Sequence, residues 1–421
     1  MTQPHIYLGA IADDLTGATD LALTLSNGGM RVMLTVGVPS VSQPIQDADA
    51  VVVALKSRTI AADEAVSQAI SAAEVLRNSG ARQIFFKYCS TFDSTDTGNI
   101  GPVTDALMDF LGTDRTIACP AFPDNARTVY MGHLFVGDRL LSESTMKDHP
   151  LTPMHDSDLV RVLTKQSRNT IRLVSHPSVN QGGVALRQAI EADRGIAVVD
   201  AISNDDLIRI GQAARDMPLI TGGSGVALGL PENFGAVRRR QDNGPAGQVP
   251  GRAVVLAGSC SAATRAQIDY AIKAGLPAFC VDPVAVSEKM LSAQEVIDFA
   301  AHRTDSSEIP VVYSSAAPED VASVHDRIGR EQAGATVERF LAEVACGLRA
   351  EGFSRFLIAG GETSGAVMDA LNIHCLEIGP EIDPGVAWCF SPPFAPDLAL
   401  ALKSGNFGQL DIFVKAWGLL R

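Results

Sequence analysis

The sequence lacks any apolar run that approaches the roughly 20 residues of a membrane-spanning helix. Its N-terminus also lacks the basic start and the apolar stretch of a secretory signal peptide. The seven cysteines are scattered and never form the paired C-x-x-C sets of a zinc site. Together these absences predict a cytoplasmic protein that has reduced thiols and no membrane partner.

Positive charge is also scarce. The chain has 34 Lys and Arg against 48 Asp and Glu, which gives a formal net charge of −14. Nucleic-acid binding depends on clustered basic residues, and the one dense basic run, Arg238 to Arg240, lies in a Gly- and Pro-rich stretch typical of a solvated linker. We therefore expect no nucleic-acid partner, although a local basic pocket could still bind a small anion.

What the sequence does contain is the pattern of a two-domain α/β enzyme. It has 421 residues, of which 46% are hydrophobic and only 5% aromatic. Short apolar runs, for example residues 51–55 and 253–257, alternate with helix-length segments, which predicts largely parallel sheets flanked by helices. Residues 236–250 are rich in Gly, Pro and charge, which predicts a linker between domains 1–235 and 251–421. We expect the active site in the interdomain cleft.

Polar residues follow the apolar strands of the first half. Because the carboxyl ends of parallel strands meet at one edge of a sheet, these residues should lie close together. Each one alone has an ordinary explanation, such as an Asp that caps a helix, but carboxylates, cations and hydroxyls at one edge favour a substrate-binding site. The candidates are Asp13, Asp14, Lys56, Ser57, Arg58, Lys87, Ser90, Thr91, Asp93, Ser94, Gly222 and Gly223.

The corresponding loops of the second half are small, hydroxylated and nearly uncharged. Glycine lets the backbone approach a ligand, and successive N–H groups at a helix N-terminus bind phosphate oxygens. The GGETSG turn after residues 356–359 matches neither G-x-x-x-x-G-K-[ST] nor G-x-G-x-x-G, but the pattern favours a nucleotide phosphate site. The candidates are Ser259, Ser261, Thr264, Gly360, Gly361, Glu362, Thr363, Ser364, Gly405 and Asn406.

These segments resemble the four-carbon acid sugar kinase family. The family motif A-D-D-x-T-G-A-x-D is present at residues 12–20. The segments YCSTFDST, ACPAFP and HPLTPM resemble the 3-oxo-tetronate kinase branch. The resemblance implies ATP-dependent phosphorylation of the C4 hydroxyl of a four-carbon sugar acid, with the acid on the N-terminal domain and ATP on the C-terminal domain. Further similar segments lie at residues 55–58, 86–95, 132–138, 221–225, 258–261, 360–365 and 403–408.

Phosphoryl transfer requires an aligned hydroxyl, a general base, and cations or N–H groups that stabilise charge on the transferred group. We expect Arg58, with Lys56 or Lys87, to bind the substrate carboxylate, since a guanidinium can bind a carboxylate in a bidentate pair. The uncharged loops of the second half should surround the ATP phosphates, with Mg²⁺ bridging them. Glu362 could reach that metal indirectly.

One carboxylate should accept the proton of the C4 hydroxyl. We favour Asp14, and Asp13 and Asp93 remain alternatives. Three other functions stay open: a D-threonate or D-erythronate kinase, a non-catalytic sugar-acid sensor that binds nucleotide, and a lyase or aldolase that forms a Schiff base on Lys56 or Lys87. A homo-oligomer is compatible with the sequence.

Overall fold

The chain divides into two compact units, residues 1–243 (unit 1) and 244–421 (unit 2). In the predicted linker, residues 236–248 lie outside the described residues. Within the described part of the chain, no helix has the length and hydropathy that a membrane span needs. The computed structural model describes residues 6–39, 48–149, 151–235, 249–302, 308–314, 330–391 and 396–420.

Unit 1 is built on a parallel sheet with helices between its strands. The strands of unit 1 are β1 (Leu8–Ala12), β2 (Val32–Val36), β3 (Ala50–Ala54), β4 (Gln83–Lys87), β5 (Arg115–Cys119), β6 (Arg127–Tyr130), β7 (His133–Val136), β8 (Arg139–Leu140), β9 (Ile171–Val174), β10 (Gly195–Val199) and β11 (Leu219–Gly222). Its helices are α1 (Leu15–Asn27), α2 (Ala62–Asn78), α3 (Ile100–Leu111), α4 (Leu159–Gln166), α5 (His176–Val179), α6 (Gly183–Glu191) and α7 (Asn204–Ala213).

The parallel sheet of unit 1 has the order β2-β3-β1-β4-β11-β5-β10-β9. Every residue of β1 and β3 is buried, because helices cover both faces of a parallel sheet, and this explains their continuously apolar sequences. The predicted parallel α/β architecture is thus confirmed. A small antiparallel sheet, β6-β7-β8, was not predicted.

Unit 2 is also α/β, but its sheet is mixed. Its strands are β12 (Arg252–Ala257), β13 (Ala278–Cys280), β14 (Val311–Tyr313), β15 (Phe353–Ala359), β16 (Cys375–Asp383), β17 (Val386–Ser391) and β18 (Leu398–Lys403). Its described helices are α8 (Ala262–Lys273), α9 (Pro283–Ser287), α10 (Ala293–Ala301), α11 (Arg330–Ala350), α12 (Gly361–Ala370) and α13 (Ile412–Lys415).

The strand order of unit 2 is β13-β14-β12-β15-β18-β17-β16. The first five strands in this order, which end with β18, pair in parallel. Strand β17 is antiparallel to both of its neighbours, β18 and β16. A tight turn at Pro384 and Gly385, where Gly385 has φ +77°, joins β16 to β17 as a hairpin. On the core side of β17, the buried Trp388 indole donates a hydrogen bond to the Ala416 carbonyl at 3.0 Å.

Candidate active site

The loops that follow β3, β1 and β4 lie side by side, because these strands are neighbours in the sheet of unit 1. Backbone hydrogen bonds continue the pairing past the strand ends. The Ser57 amide donates to the Asp13 carbonyl at 3.0 Å, and the Asp13 amide donates to the Lys87 carbonyl at 3.1 Å. The predicted carboxylates and cations of unit 1 therefore meet at the carboxyl edge of the sheet.

Arg58 connects the three predicted carboxylates. Its Nε and Nη2 donate to the two oxygens of Asp13 at 2.9 and 2.8 Å, and Nη2 also donates to Asp14 at 2.7 Å. Its Nη1 lies 3.5 Å from Asp93. Burial disfavours the charge of Arg58, but the carboxylates of Asp13 and Asp14 outweigh it and raise the pKa of the guanidinium. Arg58 thus orients the acidic groups, and its contact with a substrate carboxylate stays a prediction.

Asp14 is the most accessible of these acids. Its side chain is 31% exposed, against 8% for both Asp13 and Asp93. It is the N-cap of α1 and accepts a hydrogen bond from the Gly17 amide at 3.1 Å. Burial raises the pKa of Asp14 despite the opposing charge of Arg58. A carboxylate with a raised pKa and access to a ligand has the properties that a general base needs.

Asp93 lies in a turn that its neighbours hold in place. The Thr91 hydroxyl donates to the Asp93 carboxylate at 2.7 Å, and both Phe92 and Asp93 have positive φ angles, a conformation that non-glycine residues seldom adopt.

The Asn99 amide group donates to the Ser57 carbonyl at 2.8 Å and so fixes the loop that follows β3. Asn99 was not predicted, since nothing in its local sequence indicates this long-range contact.

Lys87 is a buried amine at the same edge. It is only 3% exposed, and among the described residues its Nζ has no hydrogen-bond or ion-pair partner within bonding distance. Its charge still lowers the pKa of the nearby Asp14 and Asp20 carboxyls, although burial raises both more strongly. A buried ammonium that lacks an acceptor is costly. A bound anion would supply the missing acceptor.

Asp20 is a residue of this edge that we did not predict, although it ends the A-D-D-x-T-G-A-x-D motif. It lies on α1, and its carboxyl is close enough to Lys87 for the two charges to interact. Burial raises its pKa, and Lys87 opposes this effect. Its place as the last residue of the motif was the signal in the sequence that could have identified it.

The remaining predicted residues of unit 1 differ in their surroundings. Lys56 is exposed and Ser90 is half-buried. The Ser94 hydroxyl accepts a hydrogen bond from Gln166 at 3.0 Å. At Gly222 and Gly223 an added Cβ would lie 2.3 and 2.6 Å from backbone carbonyl oxygens. Close packing of the chain therefore accounts for both glycines, and their contact with a substrate stays a prediction.

In unit 2 the loops after β12, β15 and β18 lie together, because these strands are adjacent. The Gly405 carbonyl, in the loop after β18, accepts three hydrogen bonds. The hydroxyls of Ser261 and Thr264, from the loop after β12 and the first turn of α8, donate to it at 2.6 and 2.8 Å. The ammonium of Lys403, at the end of β18, donates to it at 2.9 Å. Three of the predicted nucleotide-site residues are thus in direct contact.

The loop after β15 leads directly into α12. Gly360 has φ +131°, and no side chain caps the first turn of this helix. The Thr363 hydroxyl would lie only 2.3 Å from a Cβ added at Gly258 and 2.8 Å from one added at Gly360, so the two glycine loops pack closely. The uncapped N–H groups of α12 suit the oxygens of a phosphate.

The other predicted residues of unit 2 surround these loops. The Ser364 hydroxyl donates to the Gly360 carbonyl at 2.7 Å, and the Ser259 hydroxyl accepts from the Ser261 amide at 3.3 Å. Gly361 and Glu362 are exposed. No group of three or more His, Cys, Asp or Glu that could hold a metal ion occurs among the described residues. Glu362 is the predicted residue of these loops that could help to hold Mg²⁺, and this role stays a prediction.

Comparison with known proteins agrees with this division into two sites. The family model described as "Sugar-binding N-terminal domain" matches residues 8–230, and the one described as "Nucleotide-binding C-terminal domain" matches residues 254–413. A relative from Pseudomonas fluorescens, named 3-oxo-tetronate kinase, is 51% identical over 100% of this chain and 98% of its own length. One from Burkholderia multivorans with the same name is 52% identical over 97% of this chain and 96% of its own.

A solved structure from Salmonella typhimurium LT2 has a TM-score of 0.89 and 40% identity, and the match covers 97% of this chain and 98% of that one. Both the sequence and the architecture therefore agree with known proteins along nearly the whole chain. The resemblance predicted from the A-D-D-x-T-G-A-x-D motif is confirmed. The chain belongs to the four-carbon acid sugar kinase family, with a sugar-binding N-terminal domain and a nucleotide-binding C-terminal domain.

Proposed function

We propose that this protein is an ATP-dependent kinase that phosphorylates the C4 hydroxyl of 3-oxo-tetronate. The observation that carries the proposal is the 51% identity, over the whole chain, to a relative that is named 3-oxo-tetronate kinase. Residues 1–235 would bind the sugar acid and residues 251–421 the nucleotide. Since ATP is an intracellular substrate, we also propose that the protein acts in the cytoplasm.

In the reaction, the C4 oxygen attacks the γ-phosphorus of ATP and the bond between the γ-phosphorus and the β,γ-bridging oxygen breaks. ADP leaves, and the proton of the C4 hydroxyl passes to a carboxylate. We assign this role to Asp14, because its side chain is more accessible than those of Asp13 and Asp93 and because burial raises its pKa. Arg58 holds the carboxylate of Asp14 in one orientation through the 2.7 Å hydrogen bond.

Lys87 is our candidate for the substrate carboxylate. Its buried ammonium lacks an acceptor among the described residues, whereas Arg58 is already paired with aspartates. Lys56 is exposed and could add a second, solvated charge. A charge-assisted hydrogen bond to a buried ammonium contributes about 1.5–3 kcal/mol, which is enough to select an acid over a neutral sugar.

The phosphates of ATP would lie against the Ser259, Gly360 and Gly405 loops. Uncapped N–H groups of α12 and small side chains suit this role. When bound, Mg²⁺ neutralises charge on the β- and γ-phosphates. Glu362 would reach the ion through water.

A coupled ADP-release assay with purified protein tests the substrate. We expect 3-oxo-tetronate to have a higher kcat/KM than D-threonate or D-erythronate, and ³¹P NMR should show a phosphomonoester coupled to the C4 protons. Asp14→Asn protein serves as the blank for contaminating ATPase activity.

Each open alternative predicts a different experimental result. A tenfold preference for D-threonate or D-erythronate would contradict the 3-oxo assignment. Nucleotide binding without any ADP release would favour a sensor. Borohydride trapping of substrate on Lys56 or Lys87 would favour a lyase.

A further inference from the structure

Lys403 is a buried cation beneath the nucleotide loops that no predicted role includes. It is the last residue of β18 and is 0% exposed. Its Nζ donates to the Gly405 carbonyl at 2.9 Å, the Ser404 carbonyl at 3.0 Å and the Thr264 hydroxyl at 3.1 Å. All three donors of the ammonium are thus used, and every acceptor is neutral.

No carboxylate lies within ion-pair distance of Lys403 among the described residues. A buried charge without a counter-charge is costly in free energy, because hydrogen bonds to neutral groups replace only part of the lost hydration. Arg265, on the first turns of α8, is half-buried and donates to the Cys260 carbonyl. The positive charge of Lys403 therefore has no counter-charge among the described residues, and a bound anion would supply one.

The contact of Lys403 with Gly405 also orients the backbone of the loop. In a trans peptide the C=O of one residue and the N–H of the next point in opposite directions. Since the Gly405 carbonyl points toward Lys403, the Asn406 N–H points away from it, and among the described residues this N–H has no acceptor. Lys403 therefore keeps a backbone donor on the opposite side of the loop, where a phosphate could accept its hydrogen bond.

We propose that Lys403 is a positioning residue of the nucleotide site: its ammonium fixes the Gly405 carbonyl and supplies the buried positive charge that the phosphates of a bound nucleotide require, so that binding at alkaline pH is accompanied by proton uptake at Nζ. The inference rests on the proposed nucleotide role of these loops. It deepens that role by naming the charged group and the proton that binding consumes.

The sign of the pH effect follows from burial. Burial alone lowers the pKa of Lys403 to about 8, so the free protein loses this charge as the pH rises above 8. A phosphate anion favours the charged form and raises the pKa again. Affinity for the nucleotide should then fall about tenfold per pH unit above 8, until the pH reaches the pKa of the complex.

Other ionisable groups on the surrounding elements do not account for this shift, since no charge among them contributes to the lowered pKa of Lys403. Those side chains are Arg355 on β15, Asp383 at the end of β16, Cys389 on β17, Arg265, Asp269 and Lys273 on α8, and Glu362 and Asp369 on α12. Asp383 is paired with Lys415 at 2.7 Å.

Calorimetric titration of the full chain with ADP tests the proposal. ADP is inert as a phosphoryl donor to the acid and is fully ionised at pH 8.5, because the last phosphate pKa is about 6. Titrations in two buffers of different ionisation enthalpy give the number of protons taken up. We expect a substantial fraction of one proton per ADP at pH 8.5 and little uptake at pH 7.

Three variants complete the test. Lys403→Met and Lys403→Arg should bind ADP without proton uptake, and Lys403→Met should bind it more weakly than the natural protein at pH 7. Lys273→Met, the same change at an exposed lysine of α8, should keep the full uptake. Absence of uptake in the natural protein, or unchanged uptake in Lys403→Met, would overturn the proposal even if Lys403→Arg failed to fold.

The same measurements separate this inference from the proposed function. Binding of ADP without proton uptake would refute the role of Lys403 and leave the kinase assignment intact. Proton-linked ADP binding without phosphorylation of any four-carbon acid would refute the kinase assignment alone. A natural protein that binds no ADP would overturn both.

Discussion

Replacing Arg58 by Ala should destabilise the protein, because this one side chain neutralises the carboxylates at the edge of unit 1. Arg58 is 23% exposed, and Asp13 and Asp93 are 8% exposed. Removing one partner of a buried ion pair costs about 3–5 kcal/mol. We expect about 3 kcal/mol, the low end of this range, because Arg58 and Asp14 retain some contact with water.

Arg161→Ala is the matched control. Arg161 also pairs with two aspartates, Asp156 at 2.6 Å and Asp158 at 3.1 Å, but it is 56% exposed. Exposed pairs contribute about 0–1 kcal/mol. The two substitutions remove the same side chain and differ mainly in burial, so the difference between them isolates the cost of uncompensated buried carboxylates.

Urea unfolding followed by far-UV circular dichroism measures both losses. Trp388 and Trp417 are the two tryptophans and both lie in unit 2, so their fluorescence reports that unit separately. In Arg58→Ala the crowded carboxylates should have pKa values raised above those of the unfolded chain. The deficit in stability should therefore shrink as the pH falls from 7 to 5. A loss equal to that of Arg161→Ala, or a deficit independent of pH, would refute the reasoning.

Asp14→Asn should lower kcat by about 10²–10⁴-fold with unchanged ADP affinity, as measured by ADP release and calorimetry; retained turnover would move the general base to another carboxylate. Lys87→Met should raise the KM for the acid by about 10–150-fold, from a lost bond of about 1.5–3 kcal/mol. An unchanged KM would exclude Lys87 from the carboxylate site. Gly360→Val should weaken ADP binding at least about tenfold without changing the KM for the acid, because its φ of +131° disfavours a side chain; equal weakening of both would contradict the separate sites.

The sequence predicted the elements whose patterns are local. Continuous apolar runs identified β3 and most of β12, because a strand covered on both faces needs apolar residues at every position. The antiparallel hairpin of β16 and β17 was not predicted as such, since strand direction depends on a pairing between distant segments. Likewise, nothing in a local pattern indicates that β18 lies between β15 and β17.

The candidate site divides in the same way. The sequence alone determined which residue types are available: acidic and basic groups after the strands of unit 1, and glycines and hydroxyls after those of unit 2. Only the tertiary structure decided their partners. It paired Arg58 with aspartates, left Lys87 without an acceptor among the described residues, and placed Lys403 under the Gly405 carbonyl. The physical reason is that burial and counter-charge depend on strand order, which brings distant segments together and which no local pattern encodes.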